Sequence, residues 1–562
     1  MHDIKSIDHD SVFDLVVVGS GTGLAAALAS HRLGLKTLVI EKTDLVGGSM
    51  ALSGGAFWIP GNSVIRDDGG YDSIDRAAEY LDEIVGDTAD PQRWANYLKY
   101  GPELVDFLRS VTKLKFMWSR GYSDYHADRR GGSVIGRTCE SRPFDTSILG
   151  AHKDELRSGK MSAPLPMPIT GVDYRLINLM ARLPHRGLPR AARRLAQGVG
   201  GLLLGRDYVA AGQALAAGLF DAVLRAEIPV WRNTAVREIL REEGSHGGRV
   251  TGVVVEQEGK SFTVEARKGV ILSAGGFDHD LDRRREFQMA SLGEWSLGST
   301  GNTGDSLSAA MDVGAGTALL DQAWWFPSIA PLPEGSPKVM LAERSLPGSI
   351  IVDSTGCRFI NEAIDYMTFG QEVVERERTG DPVGQMWIVF DQRYRNNYVF
   401  GGELFPRMAI PQDWYDAEIA FTSDTIAGLA EVTRLPHLAA TVARFNPQAL
   451  AGVDDDFQRG MYSYDRYYGD PSHGPNPSLG PLDHGPFYAV KVVLSDLGTC
   501  GGITTDKFGR VLDKDGAQID GLYAAGNNAA NAFGTRYPGA GATIGQGLVF
   551  GYIAAHHAGG KI

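Results

Sequence analysis

The 562-residue chain carries only three cysteines, Cys139, Cys357 and Cys500. They are odd in number and far apart. That excludes a disulfide scaffold, suits a reducing compartment and leaves no zinc-ligand spacing. Long apolar runs are missing too: no stretch approaches the roughly 18 uninterrupted apolar residues of a membrane span. Positive charge is scarce, with 55 basic against 68 acidic residues and a net charge of -13. Such a surface repels phosphate backbones, so no nucleic-acid partner is expected. The histidines form no pair at metal-ligand spacing and no Gly-x-Ser-x-Gly elbow is present, so neither a metal centre nor a serine hydrolase is expected. Met1–Val12 is polar and mixed in charge, without the features of a cleavable signal. The expected location is the cytoplasm, with an addition given below.

Glycine is what the chain has in excess, 71 residues. These show no collagen period and cluster beside apolar runs, as backbone packed closely against a large ligand requires. Phe13–Val18 (FDLVVV) reads as a buried parallel strand. Gly19, Gly21, Thr22 and Gly23 follow in a glycine-rich turn, then an alanine-rich helix over Leu24–Leu33, then a strand over Lys36–Ile40 ending in Glu41 and Lys42. This is a βαβ unit with backbone amides positioned for a pyrophosphate at the helix N-terminus and an acid positioned for a ribose hydroxyl. The third glycine of a strict Gly-x-Gly-x-x-Gly would fall at position 24, which is Leu24. Small residues continue through Gly47, Gly48, Ser49, Ser53, Gly54 and Gly55, letting the chain run along an extended cofactor. That favours FAD over a nicotinamide. An FAD site also predicts a late return to the cofactor. Gly269–Gly276 supplies a strand ending in Ala274, Gly275 and Gly276, and Gly521–Gly526 another, followed by Asn527. A second glycine-rich turn at Arg536–Gly545 holds Gly541, Thr543 and Ile544, and an apolar helix is expected over Gln546–His557. Three strand endings at 19, 275 and 526 suit one sheet whose C-terminal edge lies beside a long ligand.

These segments, with Asn302-Thr303-Gly304-Asp305 and Asp496–Gly502, resemble the succinate dehydrogenase/fumarate reductase flavoprotein superfamily. Within it they are most similar to the 3-ketosteroid Δ1-dehydrogenases. The resemblance implies an α/β fold: a Rossmann-like FAD-binding domain (1–323 and 499–562) with an inserted α+β substrate, or cap, domain (324–498). It implies noncovalent FAD, since no histidine stands in Gly47–Gly55, with Asp305 among the cofactor contacts. It implies 1,2-desaturation of 3-ketosteroids in steroid breakdown, with flavin N5 as hydride acceptor and a quinone or other carrier as electron acceptor. It also implies four reacting groups. Tyr537 and Gly541 hold the ketone oxygen, Tyr366 takes the C2 proton, and Tyr125 assists, with Tyr122 as the alternative to Tyr125. Asp365 and Asp124 are expected to be structural, because a carboxylate beside an apolar steroid carries a desolvation penalty.

Three other readings are weighed. A Δ4-(5α)-ketosteroid dehydrogenase should carry serine in the turn that here reads YPGAG. A fumarate-reductase-like enzyme needs an Arg and His cluster for a dicarboxylate. A flavin-bearing membrane-surface binding protein would show no turnover. The last of these is prompted by Tyr174–Arg206, which holds seven arginines and no acid between apolar residues. It belongs to an insertion at 174–212 and fits a peripheral anchor on the cytoplasmic face of the inner membrane.

Overall fold

The computed structural model describes residues 12–159, 165–242 and 248–562. Residues 1–11, on which most of the signal reading rested, lie outside the described residues. The chain opens with β1 (Val12–Val18), α1 (Gly23–Arg32) and β2 (Thr37–Ile40). From Leu15 onward β1 is buried on both faces, which is why its sequence lacks polar–apolar alternation. The helix is rich in alanine because it too is enclosed, with every residue from Gly23 to Ser30 buried. Two short strands, β3 (Ala56–Trp58) and β4 (Thr138–Ser141), pair antiparallel with Ala56 opposite Glu140 and Trp58 opposite Thr138. The insertion folds as α2 (Gly171–Asn178) and α3 (Pro184–Leu203), and a Thr170–Asp173 capping box starts the first of these.

The chain then returns to the first sheet as β5 (Lys260–Leu272), leaves it through β6 (Ala323–Ile329), α4 (Tyr366–Arg378) and β7 (Phe487–Thr499), and comes back through β8 (Gln518–Ala524) and α5 (Ala542–Ala558). The first sheet has eight strands, with β8, β5, β1 and β2 side by side and parallel. All three glycine-tipped strands therefore end on one edge, as expected from the sequence. A second, six-stranded sheet is built on β7, flanked by β6 and by Met386–Asp391. The last helix begins at Ala542, four residues before the sequence reading, because Gly541 caps it in a left-handed conformation at φ 94°.

The insertion departs from expectation in its charges. Arg190 and Arg194 pair with Asp173, Arg182 pairs with Asp470, and Arg175 lies 4.3 Å over the Tyr467 ring. Most of these guanidinium groups therefore have partners inside the protein and are not free for headgroups. One side of α3 shows apolar groups to solvent: Leu188, Val199, Leu202 and Leu203 are exposed, Leu203 by 83%. At 3.6 residues per turn these four share one side of the helix. No helix among the described residues is long and apolar enough to cross a membrane.

Candidate active site

One continuous cavity runs along the C-terminal edge of the parallel sheet and into the cleft below the second sheet. Of the residues expected at the cofactor, all but Gly23 and Gly47 line it. Gly23 stands behind, where a Cβ would meet Val17 Cγ1 at 2.9 Å. It provides the close helix–strand packing that the strict fingerprint would give to position 24. The backbone N–H of Gly47 donates to Ser20 Oγ over 3.1 Å. Gly19 is at φ 105°, and a Cβ there would sit 2.2 Å from the Ser273 carbonyl oxygen, so the fold itself demands glycine.

Gly21 differs. Its Cβ would meet no protein atom nearer than 3.6 Å. Protein packing does not require a glycine there, whereas a ligand against the backbone does. The N–H groups of Gly21, Thr22 and Gly23 make no hydrogen bond within the described residues. They form an anion cradle at the start of α1. Glu41 ends β2 with one oxygen accepting from Ser20 N–H (3.1 Å) and Oγ (2.5 Å), the other from Thr43 N–H (2.9 Å) and Oγ1 (2.8 Å). Lys42 and Asp305 line the cavity but pair with each other at 2.6 Å, closing β2 onto the 301–305 turn. Ser49 Oγ accepts from Ser299 N–H and Asn302 Nδ2. Asn527 Oδ1 accepts from Trp324 Nε1 at 3.0 Å. An extended dinucleotide with a pyrophosphate at α1 fits these donors and this glycine.

At the other end of the edge, the N-terminus of α5 faces the cavity through Gly541, Thr543 and Ile544, whose N–H groups are free of partners among the described residues. Here three tyrosines meet. The ring centroids of Tyr366 and Tyr537 are 5.4 Å apart, Tyr125 and Tyr537 5.2 Å, and Tyr125 and Tyr366 5.5 Å. Each comes from a different part of the chain. Tyr366 is the first residue of α4, held by the Asp365 cap that accepts from Thr368 N–H at 3.0 Å. Tyr537 stands in the turn before α5. Its hydroxyl accepts from Thr543 Oγ1 at 3.0 Å, which leaves its own proton free to donate into the cavity. The carbonyl of Pro538 accepts from Tyr80 O–H (2.7 Å) and Tyr125 N–H (3.1 Å), tying this turn to the 124–125 segment.

Tyr366 and Tyr537 line the cavity but Tyr125 does not; it backs onto both. The lining member of the Tyr122/Tyr125 pair is Tyr122, whose hydroxyl accepts from Tyr468 O–H at 2.9 Å. Asp124 is fully buried, accepting from Trp58 Nε1 and Ser133 N–H and paired with Arg137. It holds the segment and does not face the cavity.

Burial pushes the Tyr366 phenol well above the usual value of about 10, and Tyr537 beside it adds to the shift. Tyr125 is raised by the same cause. Behind the pair lies Tyr464, its ring centroid 4.6 Å from that of Tyr125. The hydroxyls of Tyr125 and Tyr464 and Oδ2 of Asp365 are buried without hydrogen-bond partners within the described residues. Sequence reasoning missed Tyr464. Its one signal was the density of tyrosine in Tyr462–Tyr468. It also missed Glu140, a buried acid on the wall of the substrate half.

The fold and the site define a flavoprotein: the chain belongs to the FAD binding domain family, whose model matches residues 14–544. More narrowly, it belongs with the 3-oxosteroid 1-dehydrogenases. It is 44% identical over 97% of its length to the enzyme of that name from Mycobacterium tuberculosis, of which it covers 98%. It is 36% identical to 4-oxocyclohexanecarboxylate 2-dehydrogenase of Sinomonas cyclohexanicum, over 98% of this chain and 93% of that one. Among solved structures it matches a 3-ketosteroid delta1-dehydrogenase from Sterolibacterium denitrificans in complex with 1,4-androstadiene-3,17-dione. The TM-score is 0.92 at 36% identity, covering 98% of this chain and all of that one.

Proposed function

We propose that this chain desaturates the C1–C2 bond of 3-ketosteroids with FAD as oxidant. The observation that carries the reading is the meeting of Tyr366 and Tyr537 with the free N–H of Gly541 at one end of the cofactor cavity. Bound FAD supplies the acceptor for the hydride from C1. The rest falls to the chain. Tyr537 O–H and Gly541 N–H converge on the ketone oxygen and stabilise the charge that develops as C2 loses its proton. One such donor contributes about 3–4 kcal/mol. Tyr366 takes that proton. Because its phenol is neutral at rest, its own proton must leave as the new O–H bond forms. Tyr125 and Tyr464, with spare hydrogen-bonding capacity, and Asp365 Oδ2 lie behind it to receive one. The segment 324–498, with Tyr366 on it, serves as the cap over the substrate.

A second reading is prompted by the cyclohexanecarboxylate relative. Its substrate is also a cyclic ketone, but one bearing a carboxylate. In this chain the substrate half is walled by Tyr122, Tyr174, Phe326, Leu341 and Tyr468, and the charged group there is Glu140. Lys42, on the cofactor side, is already paired. The wall therefore favours an apolar ring system. Incubation with a 4-ene-3-ketosteroid and an artificial electron acceptor, with product analysis by mass and NMR, tests the reading: a 1,4-diene-3-one is expected. Bleaching of the bound flavin by the steroid without oxygen excludes a binding protein without turnover. Desaturation at C4–C5 of a saturated ketosteroid would move the chain to the Δ4 enzymes.

The same reading places the enzyme on the cytoplasmic face of the inner membrane. The exposed apolar side of α3 supports it. An exposed apolar stripe is the part of an interfacial helix that enters a bilayer. Sterols dissolve in bilayers, so docking there shortens the path to the cavity. A quinone or other carrier then takes the electrons.

A further inference from the structure

A guanidinium stays charged at any working pH, and sealing one away from water without an acid beside it is costly. Arg344 is such a group. It is 0% exposed and forms no ion pair with a carboxylate among the described residues. Its Nη1 donates to the carbonyl oxygens of Glu362 (2.7 Å) and Ile364, while Nε and Nη2 have no hydrogen-bond partner within the described residues. Arg93 and Arg395 are also buried against carbonyls, but each of them leaves Nε alone unused.

The carbonyls that Arg344 holds belong to the loop that delivers Asp365 and Tyr366 to the site. The same loop is tied to the short helix Ser463–Tyr467, because Asn361 Nδ2 donates to Asp465 Oδ2 at 3.0 Å. Tyr464 on that helix is 2% exposed. Arg344, Asp365, Asp465 and Tyr125 face its phenol, and the rings of Tyr122 and Tyr468 lie 6.5 Å away by centroid. Asp465 also accepts from Gly460 N–H at 2.9 Å, and Asp365 Oδ1 caps α4. Arg344 is the cation in this set. Burial raises the Tyr464 phenol above its usual range, and Arg344 opposes that rise more than any other group. Tyr125 links this phenol to the reacting one, with its ring centroid 4.6 Å from that of Tyr464 and 5.5 Å from that of Tyr366.

Resting on the reading of the site as a ketosteroid dehydrogenase, we infer that Arg344 is a positioning residue for the proton step: its cation holds negative charge on the Tyr464 oxygen, which makes Tyr464 the terminal acceptor of the proton that Tyr366 must shed. The count closes. The C2–H bond breaks and its proton forms an O–H bond on Tyr366, while its electron pair becomes the C1–C2 double bond as the C1 hydride leaves for the flavin. The former Tyr366 proton passes to Tyr125, and the Tyr125 proton passes to the Tyr464 oxygen, which ends neutral.

The test is single-turnover flavin reduction in the holoenzyme at pH 8 with a saturating 4-ene-3-ketosteroid. Arg344→Gln can still donate to a carbonyl but carries no charge; Arg344→Lys keeps the charge. An opposite charge close to an ionising group shifts it by about 1–3 pH units. Arg344→Gln should therefore slow reduction about 10- to 1,000-fold and Arg344→Lys less than about fivefold, with steroid affinity within about threefold in both. Tyr464→Phe should slow reduction at least tenfold, and adding Arg344→Gln to it should cost less than a further threefold, because the cation then has nothing to act through. Equal losses in Arg344→Gln and Arg344→Lys would overturn the inference, leaving Arg344 as a clamp on the 362–364 loop. An undiminished effect of Arg344→Gln on top of Tyr464→Phe would overturn it too. Should the Arg344 variants not fold, Tyr464→Phe decides alone, and reduction within threefold of the wild type sinks the inference. Failure of the wild type to turn any 4-ene-3-ketosteroid into a dienone would instead remove the ketosteroid reading on which it rests.

Discussion

Two glycines of one turn separate the demands of the fold from those of the ligand. At Gly19 an alanine would have to adopt φ 105° with its Cβ 2.2 Å from a carbonyl oxygen. The left-handed backbone costs about 1–2 kcal/mol and the overpacking about 1–3 kcal/mol, so Gly19→Ala should lose about 2–5 kcal/mol of stability with or without cofactor. At Gly21 the Cβ has nothing nearer than 3.6 Å, and the backbone is not left-handed. Gly21→Ala should leave the flavin-stripped protein within about 0.5 kcal/mol of the wild type. Gly21 lines the cavity at the start of α1, however, so the added methyl group would compete there with a bound pyrophosphate. Displacing the phosphate from one or two charge-assisted hydrogen bonds costs about 2–4 kcal/mol, or roughly 30- to 700-fold in the Kd for FAD. Thermal unfolding of the stripped protein gives the first quantity, and quenching of FAD fluorescence on titration gives the second. A Gly21→Ala protein that binds FAD as tightly as the wild type would refute the cradle. One that is destabilised as much as Gly19→Ala would refute the packing argument.

The remaining predictions concern the reacting groups and the surface. Tyr366→Phe should keep the yellow colour and the steroid affinity while kcat falls about 10²- to 10⁴-fold; near-normal turnover would put the base elsewhere. Because burial raises the Tyr366 phenol above its usual range, its ionised fraction at neutral pH is small and grows tenfold per pH unit. Single-turnover flavin reduction should therefore accelerate from pH 7 to pH 10, where a phenolate takes the C2 proton without passing one on; a flat profile would exclude the phenolate and leave the neutral phenol's relay as the path. Replacing both Leu202 and Leu203 by Asp should remove about 2–4 kcal/mol of affinity for anionic vesicles and leave turnover of dissolved substrate alone. Unchanged co-sedimentation would reject α3 as the contact.

The cofactor half was legible in the sequence because its determinants are local. A buried parallel strand reads as an unbroken apolar run, and its glycine tip is needed where backbone meets backbone or phosphate, so strand, turn and acid stand in fixed order within 30 residues. The substrate half was not legible in that way. Tyr125, Tyr366 and Tyr537 are three among 20 tyrosines, and nothing in their neighbours marks them. Resemblance singled them out, and tertiary structure brings them to within 5.5 Å. Glu140 escaped notice for the same reason: its donors come from Ser119 and from a helix start some 30 residues on. The misplaced start of α5 shows local preference giving way to packing. Glycine inside a helix costs about 1 kcal/mol, so the sequence reading ended the turn at Gly545 and began the helix at Gln546. In the fold a Cβ at 545 would meet the Tyr97 hydroxyl at 2.4 Å and one at 547 would meet Thr22 Oγ1 at 2.6 Å. Close approach to Tyr97 and to the cofactor turn at Thr22 thus requires the residues that weaken the helix, and the helix N-terminus faces the end of the cavity where the tyrosines meet.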